Sequence, residues 1–103
     1  MELKDKIDYS HGQINKLEIL SNAGGSVTLL AFDKGTELGT HKAPCDAMIM
    51  VIDGTADITL EGNEMKLKEG EFLSMRPGVE HSLNANKKFK VMLTKINGGA
   101  QPA

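Results

Sequence analysis

Apolar residues in this chain recur mostly at alternate positions, and nowhere with a sustained helical period. From Ile14 onward, Leu17 and Ile19 alternate with Lys16 and Glu18, the two-residue period of a half-buried strand. Residues 22–25 form a turn cluster. Residues 26–33 are a β-branched and apolar run that reads as a buried strand, ended by Lys34-Gly35. Residues 47–53 are almost wholly apolar and are closed by Asp53-Gly54. In residues 55–61, Ala56, Ile58 and Leu60 fall on one face and Asp57, Thr59 and Glu61 on the other. Gly62-Asn63 is a hairpin signal, and Met65 and Leu67 alternate with charged neighbours after it. Short strands are expected at 71–75 and 81–83, separated by Pro77-Gly78, with a last long strand at 89–96. Short strands at close, regular spacing predict an all-β sandwich or barrel. Residues 1–13 read as a lead-in segment, 14–97 as one β domain, and 98–103 as a flexible tail.

Composition narrows the chemistry. A chain of 103 residues suits one compact domain with its own core. Aromatics are 4% and Trp is absent, so that core must be aliphatic and Met-rich, with Met48, Met50, Met75 and Met92 as flexible filling. A net charge of -2 offers no basic footprint for a phosphate backbone, which excludes nucleic acid as the expected partner. Lys87, Lys88 and Lys90 read as a solvated strand end. No apolar run approaches a bilayer-spanning length, and the opening residues do not read as a secretion signal, so no membrane partner is expected. Cys45 is the only cysteine, which rules out an internal disulfide and suits a reducing cytoplasm.

Two segments carry a family signature. Gly35 precedes His41, and His41-Lys42-Ala43-Pro44-Cys45-Asp46-Ala47 leads through the apolar run to Gly54. Further on, Gly70 leads a strand into Pro77-Gly78-Val79-Glu80-His81. This layout, over roughly residues 26 to 96, resembles the paired motifs of the cupin superfamily, and in particular its small single-domain bacterial members. The resemblance implies a double-stranded β-helix, the cupin jelly-roll barrel. It also implies inward-pointing motif side chains that hold a divalent metal such as Zn, Ni, Fe or Mn. By position, His41 matches the first motif histidine and His81 that of the second motif, while Ala43 and Ala47 replace the other His and the Glu. Ala85 stands where an Asn is often seen. The resemblance carries a fold and no reaction.

Two histidines are fewer donors than a catalytic zinc or non-haem iron site uses. Candidate third donors are Cys45, which shares strand parity with His41, and His11, if the lead-in segment crosses the barrel mouth of its own subunit or of a partner. Glu37 is a further rim residue, whereas Asp46 and Glu80 have the parity of outward-facing positions. Three readings follow. The first is a barrel that binds a small molecule, with His41 and His81 as polar anchors and Ala43 and Ala47 enlarging the pocket. The second is a metal-dependent dioxygenase or isomerase built on the same two histidines. The third is metal-free proton transfer by His41 or His81, for which the sequence offers no carboxylate or lysine partner inside the barrel. A homodimer is expected, with Ile7, Tyr9 and Ile14 of the lead-in region adding an edge strand to a second copy.

Overall fold

The computed structural model describes residues 1–97 of the chain, so the tail expected at 98–103 lies outside the described residues. After a single 3-10 turn at Leu3–Lys6 come eight strands: β1 (Ile14–Asn22), β2 (Gly25–Phe32), β3 (Glu37–Lys42), β4 (Asp46–Leu60), β5 (Asn63–Lys68), β6 (Phe72–Met75), β7 (Glu80–Asn84) and β8 (Phe89–Ile96). All pairings are antiparallel, in the order β1-β2-β8-β4-β7-β3, with β5 and β6 also paired to β4. The sheet curls round a single interior, an all-β architecture as the alternating pattern predicts and a jelly roll as the family resemblance implies.

The 15-residue strand β4 is where the sequence reading needs its main correction. Asp53-Gly54 was expected to separate two strands; instead the chain runs on through it. The register against β8 shifts between Val51 and Asp53, and Gly54 adopts φ +77°. The bulge turns the strand over by one position. Before it, Ala47, Ile49 and Val51 are buried; after it, Ala56 and Ile58 are. The first half of β4 pairs with β6 and β8, and the second half with β5 and β7, so one strand joins both walls of the barrel.

Two smaller corrections concern turns and edges. The β4–β5 hairpin turns on Glu61 and Gly62, both with positive φ, one residue earlier than the expected Gly62-Asn63. Positive φ at both central positions is the type I′ geometry that matches strand twist. The alternation does not mark β3 as a separate strand, because its largely exposed residues Glu-Leu-Gly-Thr-His-Lys carry no apolar period.

The interior is packed by Phe32, Val51, Ile58, Leu83, Phe89 and Val91, with the Phe32 and Phe89 rings stacked 4.6 Å apart. A second cluster lies on the outer face of the sheet, where Ile7 packs with Leu29, Ala31 and Ile52. Tyr9 donates its hydroxyl hydrogen to Asp53 Oδ2 at 2.7 Å, and Lys90 Nζ donates to the Lys4 carbonyl at 2.5 Å. Residues of the lead-in segment are therefore held against the chain's own sheet. Among the described residues, no helix is long and apolar enough to cross a membrane.

Candidate functional site at the open end of the barrel

His41 and His81 arrive from neighbouring strands. Strand β7 alternates regularly, burying His81 and Leu83 and exposing Glu80 and Asn84. Strand β3 pairs with β7, and its register shifts between Leu38 and His41. Three residues apart, Leu38 and His41 would face opposite sides of a regular strand. The bulge at Gly39-Thr40 reverses the parity, so both line the same cavity. His41 then sits directly across from His81, with ring centroids 4.1 Å apart and planes tilted by 57°.

Each ring is fixed by a carbonyl two residues upstream. His41 Nδ1 lies 2.9 Å from the Gly39 oxygen and His81 Nδ1 lies 3.2 Å from the Val79 oxygen. A carbonyl only accepts, so each Nδ1 carries a hydrogen and donates it. In the neutral ring this leaves Nε2 unprotonated, a free acceptor or ligand nitrogen. Burial holds the His81 imidazole below its ordinary value. The carbonyl of Val79 opposes that shift, while the charges of His41 and Lys95 add to it.

The two imidazoles open onto a cavity of about 220 Å³. Its wall is aliphatic, with Leu30, Ile49, Leu83, Val91 and Leu93 around the space left by Ala43 and Ala47. The charged residues in the lining are Lys42 and Lys95, and no Asp or Glu contributes to it. Lys95 is the site residue that sequence reasoning missed. On β8, Phe89, Val91, Leu93 and Lys95 occupy successive positions of one parity, and Lys95 continues the inward series to the barrel's open end. That alternation was the available signal, and it corrects the expectation that no lysine reaches the interior. The same end widens into a groove that Lys95, His41, Leu30 and Leu38 share with Lys16 and Glu18 of β1.

The other candidate donors stand elsewhere. His11 is exposed near Asp33, past the Phe32 end of β2, whereas Lys95 is paired with Ser26 near the opposite end. The lead-in segment therefore does not bring His11 to the mouth of its own barrel, because it packs on the outer face of the sheet instead. Cys45 is buried and borders the outer groove, not the cavity holding His81. Glu37, Asp46 and Glu80 are exposed and absent from the cavity wall. Among the described residues, no three His, Cys, Asp or Glu side chains converge as a metal-binding group. Two imidazoles facing alanine methyls do not fit a metal centre that needs three or more protein donors.

Comparison with known proteins agrees with this architecture. A protein from Aquifex aeolicus is 24% identical over 94 residues, spanning 89% of this chain and 78% of its own. A conserved protein of unknown function from Streptococcus pyogenes superposes with a TM-score of 0.90 at 27% identity, covering 97% of this chain and 88% of the other. A cupin 2 conserved barrel domain protein from Leptotrichia buccalis gives a TM-score of 0.87 at 28% identity, covering 92% of this chain and 46% of the other. Residues 28–96 match the cupin domain as a sequence family, the segment that holds both histidine motifs. This chain belongs to the cupin family.

Proposed function

We propose that the barrel interior binds a small molecule, with His41 and His81 as its polar anchors. The observation that carries this reading is the pair of imidazoles, 4.1 Å apart, set in a largely aliphatic cavity of about 220 Å³ whose charged lining residues are Lys42 and Lys95. An apolar enclosure with a few placed polar groups is the usual form of a ligand site. With Nδ1 committed to the backbone, each neutral ring has Nε2 to offer as a hydrogen-bond acceptor. A thermal-shift screen of a metabolite library tests this. Compounds that raise the melting temperature of the wild type are expected to lose that effect in His41→Phe and His81→Phe. Stabilisation that persists in both variants rejects the interior as the site.

The metal-dependent alternative needs a donor from outside the set that converges here. Elemental analysis separates the two readings. Metal well below one equivalent after growth in supplemented medium favours the metal-free pocket, and one equivalent that is lost in His81→Phe favours the metal enzyme.

The assembly expected for this chain is a homodimer. Strand β1 is an edge, and it leaves Leu17, Ile19 and Leu20 substantially exposed. Pairing with a second copy would cover both the open backbone edge and those side chains.

A further inference from the structure

We infer that the occupant of the cavity is a small hydroxy acid, its carboxylate held by Lys95 and its hydroxyl hydrogen donated to Nε2 of one of the two imidazoles. This rests on the interior being a ligand site, as proposed above, and specifies the chemistry of that ligand. Charge is the first argument. The protein has 14 acidic and 12 basic residues, yet the cavity wall carries Lys42, Lys95 and two histidines and no acid. Lys95 is half-buried, with no hydrogen bond or ion pair among the described residues, whereas Lys66 is paired with Asp57 and Lys90 with the Lys4 carbonyl. A partly desolvated ammonium without a counter-charge favours an anion. The acid that lines the widened groove, Glu18, is exposed on β1 and borders the groove rather than the cavity.

Both Nδ1 hydrogens go to backbone carbonyls, so the neutral imidazoles accept at Nε2 and cannot donate there. A bare carboxylate has nothing to give them. A hydroxyl on the acid supplies the missing donor and places it apart from the carboxylate that faces Lys95. The cavity's size sets the bulk of the ligand. A cavity of about 150 Å³ lined by aliphatic side chains holds benzene. The space of about 220 Å³ here takes a ring or a branched aliphatic body of similar bulk, with its polar head toward the open end.

The test compares mandelate and 2-hydroxy-4-methylpentanoate with their matched diols, in which the carboxylate is replaced by a primary alcohol. Binding is followed by calorimetry and by the His41 and His81 side-chain NMR signals. The expected result is at least roughly tenfold tighter binding of an acid than of its diol, as a charge-assisted hydrogen bond provides. That preference should disappear in Lys95→Met and survive in Lys95→Arg, which separates charge from packing. Equal binding of acid and diol, or a preference retained in Lys95→Met, overturns the hydroxy acid while leaving the interior site standing, since the histidine signals still move. If no compound perturbs either histidine, both the ligand class and the interior site are rejected.

Discussion

His41 and His81 are cross-strand partners whose rings lie 4.1 Å apart, each anchored through Nδ1 to the carbonyl two residues before it. The arrangement makes a definite statement about protons. In the neutral form both rings are expected as the Nδ1–H tautomer, each Nδ1 donating to its backbone carbonyl. Long-range nitrogen–proton NMR spectra distinguish the two tautomers directly. Nε2–H signals for both residues would contradict the carbonyl anchoring.

Acid should weaken the fold through His81. Burial keeps this imidazole below its ordinary value of 6.5 in the folded protein. As pH falls through that value, the unfolded chain takes up the proton first, so the unfolded state gains. The loss of stability begins near pH 6.5 and levels off below the folded-state value. Urea denaturation at steps from pH 7.5 to 5 is expected to show this decline in the wild type and a flatter profile in His81→Gln. An unchanged slope in the variant would assign the acid sensitivity to other groups.

Restoring the two donors replaced by Ala43 and Ala47 should complete a metal-binding set with His41 and His81. In Ala43→His with Ala47→Glu, the new side chains enter a cavity already lined by His41 and His81. Overpacking costs about 1–3 kcal/mol without metal. The double variant is expected to bind one equivalent of Zn or Ni and to regain stability on loading, by mass action. Stability that does not respond to metal would show that these positions do not converge on the histidines.

Gly54 should tolerate no side chain. Its φ is +77°, and an added Cβ would lie 2.5 Å from the Lys88 carbonyl oxygen, which is backbone and cannot step aside cheaply. The left-handed conformation alone costs an L-residue about 1–2 kcal/mol. Gly54→Ala is expected to lose about 2 kcal/mol or more, a fall in melting temperature of roughly 8 °C or more for a domain of this size. Gly35→Ala, with φ +89° but open space around its Cβ position, should lose less. Equal losses at the two sites would mean that the close approach at Gly54 contributes nothing.

The β1 edge gives the last prediction. Multi-angle light scattering at micromolar concentration is expected to report twice the mass of 11.1 kDa. Leu20→Lys places a charge on the most exposed apolar residue of the strand and should shift the protein to monomer with little loss of fold. A wild-type monomer would leave the exposed edge without the partner proposed for it.

What the sequence determined by itself was the alternation. Period-two patterning in residues 55–61 and 89–96, with glycines at the turns, specifies strands with one buried face, because only that pattern hides apolar side chains while satisfying the backbone. The spacing of His41 and His81 between glycines was enough to suggest the family and the pair. Which residues share the cavity was decided by tertiary structure, at two bulges. The shift at Gly39-Thr40 turns Leu38 and His41 to one side, and the shift near Gly54 moves the buried positions of β4 from odd to even numbers. A bulge depends on how one strand registers against another, and parity along a single strand cannot show it. Lys95 is the converse: its parity was legible in β8, but a lysine reads as surface until the barrel curls round and leaves it lining the open end.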